Sequence, residues 1–160
     1  MTDDAKLMIA AVEANPWDQT AQLVAADALH ESGVPYDQAV IATARKALEA
    51  RIEAFCQHAD RMAAEYWAKA KYVGSPPTHR ADYISDKWCR IVRVEANSRG
   101  GSVYGFVALV DFENKTMGAV FRGGIYKADG YKRAAKHARG NVFDEDFEKA
   151  AGPWGVAYLR

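Results

Sequence analysis

One long apolar stripe governs what this chain can fold into. Ile41, Leu48, Phe55 and Met62 recur every seven residues, and Ile52, Ala59, Tyr66 and Val73 do the same four places on. Two seven-residue sets offset by four trace one face of a single helix. The spacing predicts a helix from near Pro35 to about Lys71. Gly74-Ser75-Pro76-Pro77 ends it, because consecutive prolines cannot continue a helix. The stripe is rich in alanine and short of leucine, which favours packing within the chain over a long coiled-coil dimer.

Two shorter helices precede it. Leu7, Met8, Ala11 and Val12 share a face between Lys6 and Ala14. Asn15-Pro16-Trp17-Asp18 then reads as a helix start, with Asn15 as cap and Pro16 in the first helical position. That second helix is expected from Pro16 to about Ser32, with Gly33 as its stop.

After residue 86 the period falls to two. Lys87–Glu95 alternates, Ser102–Asp111 is rich in Val, Tyr and Phe, and Met117–Phe121 is a third candidate strand. Gly123-Gly124 suggests a kink before Ile125-Tyr126-Lys127 resumes it. Asp144–Ala150 is a candidate short helix and Trp154–Leu159 a candidate closing strand. The chain therefore reads as α+β: a helical region over 1–74, then an antiparallel sheet of three to four strands over 75–160, together one compact unit.

The formal net charge is zero, from 21 Lys/Arg and 21 Asp/Glu, but it is segregated. Residues 1–60 hold four basic and ten acidic side chains, whereas residues 115–139 hold seven basic and one acidic. An overall balance argues against a nucleic-acid binder; a local basic run argues the other way. No apolar run is long enough to span a membrane, and Met1-Thr2-Asp3-Asp4 does not read as a targeting signal, so a cytoplasmic protein is expected. Cys56 and Cys89 lack metal-ligand spacing and are expected as buried thiols. No metal, cofactor or catalytic constellation is expected. The four histidines are scattered, and no nucleophile elbow, phosphate loop or zinc-protease motif occurs.

Two resemblances follow from local residues. Leu7, Ala11, Asn15-Pro16, Asp18, Leu23-Val24, Ala26-Asp27, Leu29, Glu31 and Gly33 resemble part of a repeat-companion helical module, although Ala25 and Ala28 stand where that family typically has aromatics. Ser102-Val103-Tyr104, Phe106, Ile125 to Ala128, Tyr131-Lys132 and Ala135 to Asn141 are similar to small uncharacterised proteins of bacteriophages and other mobile elements. Ala134 departs from the proline those proteins often carry. The resemblance implies a phage or plasmid setting and no chemistry.

The strongest candidate site is the basic run Arg122, Lys127, Lys132, Arg133, Lys136, His137 and Arg139, interleaved with Tyr126 and Tyr131. Cations neutralise phosphates and rings offer stacking faces to unpaired bases. If 131–139 is helical, Lys132, Lys136 and Arg139 share one face. The expected function is a non-enzymatic accessory protein, monomeric or homodimeric, that binds nucleic acid through residues 122–139. The alternative is an inhibitor or adaptor of a host macromolecular complex, such as a defence nuclease complex. It would act through an acidic face of Asp18, Asp27, Glu31, Asp37, Glu49 and Glu53. A small enzyme is the third class. The tryptophans, Trp17, Trp67, Trp88 and Trp154, read as packing anchors.

Overall fold

A threonine hydroxyl starts the first helix. Thr2 Oγ1 accepts from the Ala5 N–H at 3.3 Å, and α1 spans Asp3–Ala14. Asn15 closes α1 by donating its N–H to Ala11, and Asp18, not Asn15, caps the second helix by accepting from the Ala21 N–H at 3.1 Å. The α2 helix spans Gln19–Glu31 and the third, α3, spans Tyr36–Ala70, close to the bounds its stripe predicts.

A computed structural model describes residues 1–158 of the chain. It divides into two units, Met1–Arg51 and Ile52–Arg160. In the first unit, Ala5, Ala26, Leu29 and Ala39 are buried together, with Ile9, Ala28 and Val34 packed on them. The Arg51 guanidinium lies 3.8 Å from the centroid of the Trp17 ring, a cation–π contact that leaves Trp17 half exposed.

The second unit is built on an antiparallel sheet in the order β1-β2-β3-β6-β7. The strands are β1 Thr78–Tyr83, β2 Trp88–Val94, β3 Gly101–Ala108, β6 Gly124–Ala128 and β7 Ala134–Asn141. A separate hairpin, β4 Phe112–Asn114 and β5 Gly118–Val120, branches from it. The α+β class holds, and the sheet is larger than the three to four strands expected.

Three differences have physical causes. The 117–121 segment is not the third strand of the main sheet. Asn114 Oδ1 accepts from the Thr116 and Met117 N–H groups and turns the chain straight back, so β5 pairs with β4, and β6 takes the place beside β3. Gly123, at φ +82°, makes the reversal that follows. Residues 134–141 form a strand, not a helix. Ala134 and Ala138 stand opposite Ala128 and Tyr126 on β6, and these pairings override the helical propensity of an alanine-rich run. The C-terminal tail makes one bridge, Ala151 to Val156, and a 3-10 turn covers Phe147–Ala150. Leu159 of the expected closing strand lies outside the described residues.

The sheet has two distinct faces. Phe106, Ala108, Val120 and Tyr126 form a buried cluster under the hairpin, with Trp88 edge-on to Tyr126 at 5.3 Å and to Phe112 at 5.6 Å. On the opposite face, Phe55 of α3 packs edge-on to Tyr104 at 6.2 Å, and Ile52, Cys56, Cys89, Ile91 and Ile125 are buried. Burying a side chain of this size contributes about 2–3 kcal/mol. Burial pushes the Cys56 thiol up, with smaller contributions from Cys89, Glu53 and Asp60, so it stays protonated.

Strand β1 has no apolar alternation and was not expected. It is fixed by α3 instead. Asp60 Oδ1 accepts both the His79 backbone N–H, at 2.6 Å, and its Nδ1–H, at 2.9 Å. Burial lowers the His79 pKa; the Asp60 hydrogen bond and charge oppose this, Arg93 lowers it further, and Glu95 raises it. The ring is therefore neutral when folded and binds its proton more readily when unfolded. Stability is full above about pH 6.5, the ordinary histidine value, and falls as pH drops from there through the lower folded value. Asp60→Ala should cost about 2–3 kcal/mol in urea denaturation. His79→Gln should flatten the loss of stability between neutral and mildly acidic pH.

Candidate functional site

The site is organised by one bulge. Ile91 pairs with Gly105 and Val92 with Val103, so Tyr104 has no partner on β2. Its freed carbonyl accepts from the Val156 N–H at 3.1 Å. Its hydroxyl donates to the Gly152 carbonyl at 2.6 Å and accepts from the Gly152 N–H at 3.1 Å. Burial pushes the Tyr104 hydroxyl up to about 12, the Gly152 bond opposing it, so it remains a donor at neutral pH. The tail therefore folds onto the sheet as a closed loop, Ala151 to Val156, with Trp154 near its tip.

This loop needs its glycines. A Cβ at Gly152 would lie 2.7 Å from the Gly155 carbonyl oxygen, and one at Gly105 would meet Val156 Cγ2 and the Tyr126 carbonyl oxygen. The Trp154 ring is clasped by Arg93, whose guanidinium carbon is 4.5 Å from its centroid, and by Tyr66, edge-on at 5.3 Å.

Between this loop and the sheet lies a cleft of about 750 Å³. Its cations are Lys127, Arg139 and Lys149, and its rings are Trp154 and Tyr158. Arg139 is held by two carbonyls, donating from Nε to Ala157 at 3.0 Å and from Nη1 to His137 at 2.6 Å. Lys127 Nζ sits 4.4 Å from the Tyr158 centroid. Lys149 pairs with Asp146 at 3.1 Å, both well exposed. No carboxylate pairs with Lys127 or Arg139 among the described residues.

The basic run is split by strand alternation. Lys127 and Arg139 enter the cleft. Tyr126, the neighbour of Lys127, faces the other way and is 3% exposed, so its ring offers no stacking surface; burial raises its pKa. Tyr131 is 58% exposed and lies under Arg90, whose guanidinium carbon is 4.3 Å from the ring centroid. Lys132, Lys136 and His137 are exposed, and Arg133 pairs with Asp129 at 2.8 Å. Arg122 serves the turn before β6. Its N–H donates to Asp111, its carbonyl accepts from Asn141, and its guanidinium lies 4.9 Å from the Phe143 centroid. Burial lowers its pKa and Asp111 opposes this. Because 134–141 is a strand, Lys132, Lys136 and Arg139 do not share a helical face.

The acidic residues serve several local roles. Asp18 caps α2, and Glu49 receives Arg45 at 2.9 Å and Lys46 at 3.6 Å. Asp27, Glu31 and Asp37 are exposed in the first unit. Glu53 belongs to the second unit and accepts from Gln57. Sequence reasoning missed Lys149 and Tyr158 and treated Trp154 as a packing anchor. The only signal was Gly152-Pro153-Trp154-Gly155, a turn-forming quartet around an aromatic ring. No group of three His, Cys, Asp or Glu side chains is placed to hold a metal among the described residues, and no described helix is long and apolar enough to cross a membrane.

No family model matches this chain, and no curated protein or solved structure matches it. The geometry itself makes a test available. Tyr104→Phe removes the hydroxyl that holds Gly152 and should cost about 1–2 kcal/mol of stability. It should also release the loop, read as a red shift of the Trp154 emission when compared with a Trp154→Phe background.

Proposed function

We propose that this protein is a non-enzymatic nucleic-acid-binding accessory protein, and that the β6–β7 ribbon and the tail loop form its contact surface. The observation that carries the reading is the gathering of Lys127, Lys132, Lys136 and Arg139 on one ribbon, none of them paired with a carboxylate among the described residues. Exposed rings stand nearby at Tyr131, Trp154 and Tyr158. Unpaired cations release counterions when they meet phosphates, and exposed rings stack on bases. The resemblance of residues 102–143 to phage and mobile-element proteins supplies the biological setting, a host bacterial cytoplasm.

A second reading, an inhibitor or adaptor that binds a host protein, draws on the first unit. Leu23 is 54% exposed one turn before Asp27, and Ile41 is 68% exposed one turn after Asp37. Apolar side chains bordered by acids suit a protein partner.

The two readings separate by experiment. Nucleic-acid binding requires affinity that falls steeply between about 50 and about 200 mM salt. Reversing Lys127, Lys132 and Lys136 to Glu should weaken it by at least about tenfold and lower the salt slope by about 2. Salt-insensitive binding, or binding unchanged by the reversals, contradicts the first reading. A stoichiometric complex captured from host lysate that survives nuclease treatment favours the second.

A further inference from the structure

The cleft differs in kind from the exposed lysines of the ribbon. Lys132 and Lys136 are open to solvent and can follow a phosphate backbone of any form. Lys127 and Arg139 instead lie in a recess whose wall is the Trp154 loop. Its volume of about 750 Å³ falls within the range of sites that enclose a small molecule.

Its parts are also fixed in advance. Two backbone carbonyls orient Arg139, Tyr104 ties down the loop at Gly152, and Arg93 lies against the Trp154 ring. A ring has two faces. With Arg93 over the ring and Tyr66 and Trp67 beside it at 5.3 and 6.0 Å, Trp154 is still 49% exposed and lines the cleft. A fixed cation beside a fixed ring matches a phosphate joined to a base.

We propose that the cleft takes one unpaired nucleotide of a nucleic-acid strand, with the base against Trp154 and its phosphate between Lys127 and Arg139. The proposal rests on the nucleic-acid reading above and adds a preference to it. Inside a duplex each base has both faces covered by its neighbours and cannot reach the ring. An unpaired base can. The cleft therefore selects single strands, while Lys132 and Lys136 contribute without regard to strandedness.

The test is fluorescence anisotropy with a labelled single strand of about twelve nucleotides and with the matching duplex. The single strand should bind about tenfold more tightly than the duplex. Trp154→Leu should remove that preference, and Lys132→Glu with Lys136→Glu should weaken both forms alike. Equal binding of the two forms, unchanged by Trp154→Leu, overturns the cleft proposal and leaves the nucleic-acid reading standing. Absence of binding to either form overturns both. If circular dichroism shows Trp154→Leu to be unfolded, Trp154→Phe is used to assign the wild-type indole N–H resonance of Trp154. Movement of that resonance on adding the single strand, and not the duplex, supports the proposal. No movement overturns it.

Discussion

The second unit depends on the bulge at Tyr104. One extra residue on β3 leaves a carbonyl without a ladder partner and turns a large ring toward α3. The carbonyl takes the Val156 N–H, the hydroxyl clasps Gly152, and the ring packs on Phe55 and, at 4.5 Å, on His79. Helix, edge strand and tail thus meet on one residue. The buried aromatic body holds the sheet to the helix, while the polar end decides where the tail lies. Irregularity in a strand is often a device for re-aiming a side chain, and here it creates the wall of a cleft.

Much of the fold is written locally, and the exceptions are informative. The α3 helix is legible because its repeat persists, although the stripe is buried only where Leu48, Ile52, Phe55 and Ala59 lie; Ile41 stays exposed and Val73 falls beyond the helix. Strands β2 and β3 are legible from alternation and β-branched content. β1 is not, because its inward anchor is a histidine whose Nδ1–H and backbone N–H are held by a carboxylate nineteen residues earlier in the chain. β7 is not, because alanine favours a helix in isolation and only pairing with β6 decides otherwise. In the site, the basic run was visible but its division was not. Tyr126 and Lys127 are adjacent in sequence and face opposite sides of the sheet, and Lys149, Trp154 and Tyr158 arrive from a tail whose path is set by one hydroxyl.

Charge segregation takes a different meaning in three dimensions. Many acidic side chains have local work, as a cap at Asp18, an ion pair at Glu49 and a strand anchor at Asp60. Several basic ones do too, through rings as well as through carboxylates. Arg51 meets Trp17, Arg90 meets Tyr131, Arg93 meets Trp154 and Arg122 meets Phe143. A guanidinium against an aromatic face keeps its full charge while shedding part of its hydration. Arg90 and Arg93 combine the two kinds of contact, for they also pair with Asp82 at 2.6 Å and with Glu95 at 2.9 Å.

The register of β7 carries a final consequence. This strand is an outer edge of the five-stranded sheet, and its pairing with β6 shifts twice, at Ile125/Tyr126 and at Tyr126/Ala128. An unbroken edge invites another chain to add itself by backbone hydrogen bonds, the first step of sheet-to-sheet aggregation. Two interruptions within eight residues, together with the exposed Lys136, deny a second chain a flat template along β7. The edge that carries the basic side chains is thereby a poor template for the addition of a further strand.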